Sequence, residues 1–325
     1  MGMLYYKLWK VTKRFSSLVL RVLDIMDNYL YARLDTNKEF AKEVNDKNMV
    51  ETTQTHNMAT HPDEIYYERQ YWHWLKTFLE NYIKEIPDFN NTNVLDLGCG
   101  QGRLTIPLSK WCLKNGCENI VGVDISGNAL SFAHQFATRE SVGGAIEFFE
   151  MDILDFLRDQ KDATFSVVIC TEVFLFYPNY KKVLIEIERV LVPGGLLFAS
   201  FRSRYFNLLY SLKEKKISSL SMLLNQNEGF PWGPPTKFIW HSVSEAKKLI
   251  LDAGFNLLSY KGIGVCSGIE GDPLSRIIRP SMLTNKEQGE LMTVELAMAE
   301  EMANSGRYIL TTARKNLTEV DSKVH

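Results

Sequence analysis

Apolar residues follow two alternating spacings over most of the chain. Between residues 63 and 86 they recur every three or four positions, which predicts one long amphipathic helix. Short continuous apolar runs follow, and each is succeeded by another helical spacing. The run 165–170, FSVVIC, is typical of a strand buried on both faces. This alternation predicts an α/β fold built from strand and helix units.

The spacings place the individual elements. We predict strands at 94–97, 119–123, 145–149, 165–170, 196–201, 256–260 and 307–313. We predict helices at 63–86, from near residue 103 onward, and at 128–138, 180–190, 205–224, 245–253 and 286–303. Ser126 is expected to cap the helix at 128–138, and either Ser242 or Ser244 the helix at 245–253. Residues 202–240 and 268–306 are predicted lid insertions, because long connections in compact domains are usually functional.

The N-terminal 61 residues lie outside this alternation. Residues 1–21 hold five basic and no acidic residues among apolar ones, which predicts an amphipathic helix. That helix either lies on an anionic membrane or packs on its own domain or on a second subunit. Its apolar run is shorter than the ~18 residues a membrane-spanning helix needs. We therefore predict an N-terminal helix and polar linker at 1–61, a main domain at 62–315 and a flexible tail at 316–325.

Composition narrows the functional classes. The 325 residues are 45% hydrophobic with a net charge of -2, as in ordinary globular proteins, so nothing global indicates a polyanionic partner. The five cysteines form no C-x-x-C pair. We expect reduced thiols, no metal site, no nucleic-acid partner and a cytoplasmic protein with a further option of peripheral membrane contact.

The stretch DLGCGQGR, residues 96–103, joins the first strand to the next helix. Glycines at 98, 100 and 102 predict a sharp turn that lets the backbone approach a ligand closely. The helix that follows offers unpaired N–H groups at its start. The dinucleotide fingerprint G-x-G-x-x-G would need a third glycine where Arg103 stands, which disfavours a nicotinamide dinucleotide.

The D-x-G-x-G-x-G pattern instead resembles motif I of the class I S-adenosylmethionine (SAM) dependent methyltransferases. GVDIS at 122–126, Asp152 and RVLVPGGLLFASF at 189–201 match the same family in order. The resemblance implies a seven-stranded, mostly parallel Rossmann-like sheet, with the last strand antiparallel between the fifth and sixth. It also implies SAM as cofactor and S-adenosylhomocysteine as product.

Roles for individual residues follow from the resemblance. Asp96 would help hold the SAM ammonium and the glycine loop, Asp124 would accept the ribose hydroxyls, and Asp152 would face the adenine amino group. An aromatic residue of the first helix, Tyr67 or Tyr71, would line the site or simply belong to the core. The predicted cofactor-binding residues are Tyr71, Asp96, Gly98, Cys99, Gly100, Gly102, Asp124, Ile125, Asp152, Ile153 and Thr171.

Two residues are predicted to be catalytic. Glu172 follows the fourth strand and His241 follows the lid, and either could act as a general base; His73 and Tyr177 stand behind them. Alternatively, Glu172 binds the ligand's amino group or holds the loop. His241 could equally be a helix-start histidine that is hydrogen-bonded to the lid.

The acceptor is expected to be a small molecule. TEVF at 171–174 stands where base-amine methyltransferases carry N/D-P-P-Y/F, and the lid at 229–240 is rich in aromatic residues. We therefore expect methyl transfer to O, N or C of a lipid-like, quinone or secondary-metabolite acceptor. The alternatives are an RNA or protein methyltransferase, or a non-catalytic subunit that supports a partner. A membrane contact or a homodimer through residues 1–31 is a further expectation.

Overall fold

The computed structural model describes residues 60–85, 89, 92–232 and 237–317. The expected N-terminal helix at 1–31 and nearly all of the linker lie outside these residues. So do residues 233–236, near the end of the first lid insertion, and most of the expected tail. The predictions made for those segments therefore stay predictions.

The elements follow one another in the alternating order that the sequence predicts. The helices are α1 (Pro62–Glu85), α2 (Thr105–Lys114), α3 (Gly127–Arg139), α4 (Ile153–Asp159), α5 (Tyr180–Val190), α6 (Arg204–Lys213), α7 (Leu220–Asn225), α8 (Val243–Asp252) and α9 (Asn285–Met298). The strands are β1 (Asn93–Leu97), β2 (Asn119–Asp124), β3 (Ile146–Glu150), β4 (Phe165–Cys170), β5 (Leu191–Arg202), β6 (Glu228–Gly229), β7 (Phe238–Ile239), β8 (Phe255–Ile263) and β9 (Tyr308–Lys315).

Seven strands form one sheet in the order β3-β2-β1-β4-β5-β9-β8. Strands β1 to β5 pair in parallel, and β9 pairs antiparallel with both β5 and β8. The predicted α/β, Rossmann-like sheet is confirmed, including the last strand inserted between the fifth and sixth strands of the sheet. The carboxyl ends of β1, β2 and β4 meet at one edge, which is where open α/β sheets bind ligands.

Two apolar layers cover the sheet. Helices α1 and α2 pack on one face through residues such as Leu75 and Ile106. Helices α4, α5 and α8 pack on the other face through residues such as Ile187 and Ile250. Strand β4 faces both layers, and all six of its residues are buried. This double burial explains its continuous apolar sequence.

The helix starts resolve the predicted caps. Ser126 accepts a hydrogen bond from the backbone N–H of Ala129 at 3.2 Å, so it caps α3. Ser242, and not Ser244, caps α8 in a reciprocal arrangement with Glu245, whose carboxylate accepts from the Ser242 N–H at 2.7 Å. This capping box fixes the start of α8 at Val243, two residues after His241.

The two insertions depart from the predicted helices. The helix expected at 205–224 is divided into α6 and α7 by residues 214–219, where Lys215 has φ +57°. The helix expected at 286–303 ends at Met298. Neither break contains glycine or proline, the residues that usually mark the end of a helix in a sequence. The apolar spacing alone therefore did not predict either break. No helix in the described part of the chain has the length and apolar character needed to cross a bilayer.

Candidate functional site

The glycine turn after β1 adopts a left-handed backbone. Gly98, Gly100 and Gly102 have φ values of +71°, +52° and +79°. A Cβ at Gly98 would lie 2.2 Å from Cγ2 of Val173, so this position requires glycine. The position of a Cβ on Gly100 has no atom within 4 Å, which leaves that side of the turn open. The turn is thus compact on one side and has room for a ligand on the other.

Asp124, at the end of β2, holds the turn. Its carboxylate accepts hydrogen bonds from the N–H of Gly100 and the N–H of Ser126, each at 2.9 Å. Ile125, between Asp124 and Ser126 in the chain, is half-buried. The backbone N–H of Cys99 donates to the Val123 carbonyl at 3.0 Å. These bonds bring the end of β2 against the turn, as the predicted cofactor site requires.

Asp96, in β1 before the turn, is hydrogen-bonded to the helix that follows the turn. The hydroxyl of Thr105, the first residue of α2, donates to its carboxylate at 2.6 Å. Burial raises the pKa of the Asp96 carboxyl to about 6, and the Thr105 hydrogen bond opposes that rise. Asp96 therefore joins the strand before the turn to the helix after it. Its contact with a ligand ammonium stays a prediction.

Asp152 caps α4 after β3. Its carboxylate accepts from the N–H groups of Leu154 and Asp155 at 3.0 and 3.2 Å, and from the Tyr177 hydroxyl at 2.9 Å. Burial, followed by the nearby carboxylate, raises the pKa of Tyr177, so its hydroxyl stays protonated and donates. Ile153 is buried in the core beneath. Tyr177 thereby fixes the loop after β4 to this corner of the site.

A chain of ion pairs crosses the sheet edge beside the glycine turn. Arg103 lies 3.3 Å from Glu64 of α1 and 3.4 Å from Glu172 after β4. Arg307, just before β9, lies 3.4 Å from the other oxygen of Glu64 and 3.7 Å from Asp272. Burial lowers the pKa of Arg103, but the carboxylates of Glu172 and Glu64 raise it further, so the net change is upward. The chain joins α1, the turn, the β4 loop, β9 and the second insertion.

Glu172 has a strained backbone at this point. Its φ is +61°, and its N–H donates to the Ser200 hydroxyl of β5 at 2.7 Å. A left-handed conformation costs a residue with a Cβ about 1 kcal/mol, and such residues cluster at functional sites. Thr171, half-buried, connects it to the end of β4. The backbone aims the Glu172 side chain toward Arg103.

Tyr71 of α1 reaches the same place. Its ring is buried, and its hydroxyl has no hydrogen-bond partner of good geometry. Burial, and then the charge of Glu172, raise the pKa of Tyr71, and the nearby Ser200 hydroxyl lowers it without making a hydrogen bond of good geometry. Tyr67 instead contacts Ser267 at 3.4 Å, within the core. A buried hydroxyl without a partner suits a polar atom of a bound ligand, so Tyr71 is the better placed of the two predicted tyrosines.

Sequence reasoning missed the charged residues around Glu172: Glu64, Glu68, Asp272, Arg307 and the ion pairs of Arg103. Glu68 is half-buried one helical turn after Glu64, and burial raises the pKa of its carboxyl to about 7. The spacing of Glu64, Glu68 and Tyr71 on one face of α1 was a usable signal. The aromatic residues between them obscured it.

His241 lies on the face of the sheet that α5 and α8 cover, away from Glu172. It is buried, and its Nε2 is 3.1 Å from the Tyr180 hydroxyl. The Phe201 ring packs edge-on against it in the α5 and α8 layer. Successive β5 side chains point to opposite faces, so Ser200, which binds Glu172, faces the α1 layer. The structure therefore does not bring the two predicted catalytic residues together. His241 does precede a helix, as the alternative expected, but its ring is hydrogen-bonded to Tyr180 of α5 and not to the lid.

His73, the other histidine considered, is exposed on α1. It lines a separate groove of about 220 Å³ between α1 and α9, together with Arg69 and Gln288. None of the predicted cofactor or catalytic residues lines this groove. His73 is therefore not placed to act with Glu172.

The lid brings aromatic rings to the loop after β4. The N–H of Ile239 donates to the Leu175 carbonyl at 2.9 Å, which attaches β7 to that loop. The Phe176 and Phe238 ring centroids lie 5.2 Å apart, and those of Phe238 and Trp232 lie 4.3 Å apart. Of the other lid aromatics, Trp240 is fully buried and Phe230 is half-buried. A wall of aromatic rings thus begins four residues after Glu172.

Comparisons with known proteins agree with this geometry. A family model described as a methyltransferase domain matches residues 88–248. The chain is 36% identical over 127 residues to the probable methyltransferase ltbC of Aspergillus luteorubrus, covering 37% of this chain and 41% of that protein. It is 31% identical over 127 residues to the ubiquinone biosynthesis O-methyltransferase of Idiomarina loihiensis, covering 39% and 48%.

A third relative matches over a longer stretch. The demethylmenaquinone methyltransferase of Staphylococcus aureus is 28% identical over 192 residues, covering 55% of this chain and 74% of that protein. The chain therefore spans less than half the length of the first two relatives and about three quarters of the third. The stretch that the family model matches, residues 88–248, contains the glycine turn and the ends of β2, β3 and β4.

Proposed function

Because this chain belongs to the class I SAM-dependent methyltransferase family, we propose that it transfers a methyl group from SAM to a small, partly apolar acceptor. Within that class we propose a quinone-like ring with a hydroxyl group. The observation that carries this proposal is the aromatic wall of Phe176, Phe238 and Trp232 beside the polar cluster around Glu172. Two relatives are named for ubiquinone biosynthesis and for demethylmenaquinone, which supports the same acceptor class.

SAM, when bound, supplies a methyl group already activated by a positive sulfonium. The remaining tasks of the protein are binding, orientation and exclusion of water. We propose that the open side of the turn at Gly100 receives the cofactor and that Asp124 accepts its ribose hydroxyls. Asp152 and Ile153 would border the adenine ring. The unpartnered Tyr71 hydroxyl offers one further polar contact to the bound molecule.

We assign proton transfer to Glu172. A phenolic hydroxyl must lose its proton when it is methylated, and a positioned carboxylate can accept that proton. Arg103 and the Ser200 hydroxyl hold Glu172 in place from two sides. His241 is not assigned this step, because its ring is buried against Tyr180 and Phe201 on the opposite face of β5.

The test uses SAM with an isotope-labelled methyl group and, as probe, a catechol that carries a short isoprenoid chain. We expect the wild-type chain to label the catechol. Glu172→Gln should lower turnover by about 100-fold while SAM affinity is nearly retained. The matched control is Glu118→Gln, an exposed carboxylate before β2 that should leave turnover unchanged. Equal turnover in Glu172→Gln and wild type would refute the assigned base.

The acceptor class is tested separately with cell extract and the same labelled SAM. Label in the lipid or small-molecule fraction supports the proposed class. Label in RNA or protein instead would overturn the acceptor but keep methyl transfer. SAM binding without label in any fraction would indicate a non-catalytic subunit that supports a partner.

A further inference from the structure

One face of α6 is apolar and exposed. Tyr205, Leu209 and Leu212 have exposed fractions of 48%, 38% and 49%. Their spacing of four and three residues places them on one stripe of the helix. Phe206, Asn207 and Ser211 point away from the stripe and are buried. We call the stripe of Tyr205, Leu209 and Leu212 the α6 face; Ile217, 60% exposed, follows it in the connection to α7.

The charge around this face is positive. Residues 203–226 contain four basic residues and one acidic residue. The acid, Glu214, is paired with Lys213 at 2.8 Å, and Arg204 is paired with Glu245 at 2.7 Å. Lys215 is exposed and has no ion pair within the described part of the chain. Arg276 adds a further positive charge near Glu214. The remaining charge therefore suits an anionic surface.

Helix α6 also contacts the aromatic residues of the lid through its other side. Tyr210 lies one turn after Phe206, on the side of α6 that points away from the stripe, and its ring centroid is 4.8 Å from that of Trp232. Trp232 contacts Phe238, and Phe238 contacts Phe176 after β4. Phe176 itself is 52% exposed. A continuous path of aromatic rings thus leads from α6 to the loop that follows Glu172.

We propose that the α6 face docks on an anionic lipid bilayer, with its apolar stripe in the interface and the nearby lysines at the headgroups. A short helix with an apolar stripe and flanking basic residues has the composition of interfacial membrane helices. The docking places α6, from which the aromatic path begins, at the membrane surface, so that an apolar acceptor could pass from the bilayer around the helix to that path. Only this delivery of an acceptor rests on the proposed function; the docking does not.

The test is co-sedimentation of the 325-residue chain with vesicles of phosphatidylglycerol and phosphatidylcholine in equal parts. We expect the wild type to bind these vesicles, and Leu209→Ser/Leu212→Ser to bind at least about tenfold more weakly. The matched control is Ile185→Ser/Leu251→Ser, which changes two leucine-sized residues that are 58% and 57% exposed on α5 and α8. The control should bind as the wild type does.

The electrostatic part has its own pair of variants. Lys215→Glu should weaken binding to the mixed vesicles, while Lys161→Glu, also exposed but before β4, should not. Wild-type chain that does not bind, or Leu209→Ser/Leu212→Ser that binds fully, would overturn the proposal. If Leu209→Ser/Leu212→Ser had a lower sedimentation coefficient than the wild type but bound vesicles equally well, the proposal would also be overturned. The α6 face would then be a contact between two copies of the chain. No SAM or acceptor is present, so failure here is separate from failure of the proposed function.

Discussion

His241 affects stability in a way that depends on pH. Burial lowers the pKa of its imidazole from 6.5 to about 4. Because the folded-state pKa is depressed, the unfolded chain binds a proton that the folded chain resists. The stability that the neutral ring supports is fully present above about pH 6.5 and is lost as pH falls toward 4. At pH 5 this loss amounts to about 2 kcal/mol.

The variant His241→Gln removes this titration. At pH 7.5 we expect it to be less stable than the wild type, because the contact with Tyr180 is altered. At pH 5 the difference in unfolding free energy should narrow by about 2 kcal/mol, measured by urea unfolding at both pH values. The control is Ser244→Ala, which changes an exposed residue of α8. Its unfolding free energy should differ from that of the wild type by the same amount at pH 7.5 and at pH 5. If the difference in unfolding free energy between His241→Gln and the wild type were the same at both pH values, the burial of a neutral His241 ring would be contradicted.

At this scale the sequence identifies residues whose role is local. Gly98 and Asp124 could be predicted, because a left-handed turn and the acid at the next strand end have fixed positions in the motif. The ion pair of Arg103 with Glu64 could not, because nothing in the sequence shows how α1 crosses the turn. Nor does the sequence show which face of β5 lies against His241. In the structure that face is opposite to the one that contacts Glu172 through Ser200.

Among the elements, α9 is fixed to its neighbours by one buried carboxylate. Oε2 of Glu295 accepts from the Tyr66 hydroxyl at 2.8 Å and from the Gln70 amide at 2.6 Å. Oε1 accepts from the N–H groups of Cys266 and Ser267 at 2.8 and 3.0 Å. Glu295 is fully buried. A carboxylate has only acceptor sites, so it matches a shell made entirely of donors.

Replacing this carboxylate should therefore destabilise the fold. Glu295→Gln directs an amide NH₂ group at donors and leaves at least one of them without a partner, at a cost of about 3 kcal/mol. Urea unfolding at neutral pH measures the loss. Glu290→Gln changes an exposed carboxylate on the same helix and should stay within about 0.5 kcal/mol of the wild type. If the two variants were equally stable, α9 would not depend on this contact.

Local signals explain which elements could be predicted. Strand β4 and helix α5 begin and end at the predicted residues, since a doubly buried strand and an amphipathic helix each have a plain spacing. The separation of α6 from α7 depends on the left-handed Lys215, and lysine gives no warning of that conformation. The ribbon of β6 and β7 has two residues in each strand, too few for any alternation to appear.

In the whole molecule, several distant segments meet at the carboxyl edge of the sheet. Helix α1, the glycine turn, the loop after β4, β9 and the second insertion are joined there through Arg103, Glu64 and Arg307. The sheet order could be predicted because the motif matches imply a known strand arrangement. The way the insertions close around that edge could not, since their contacts are long-range pairs without a sequence period.

A ligand that binds at this edge contacts segments from most of the domain, so it should stabilise the domain as a unit. At a SAM concentration of 100 times its Kd, binding contributes about 2.7 kcal/mol, which corresponds to a rise in Tm of about 5–10 °C for a domain of this size. Differential scanning fluorimetry with and without SAM measures the shift. Asp124→Ala should remove most of it, because it loses the carboxylate that orders Gly100 and would accept the ribose hydroxyls. Glu118→Gln should keep it. A wild-type chain without any shift would refute the cofactor assignment at this site, whereas an equal shift in Asp124→Ala would leave SAM bound but by other residues.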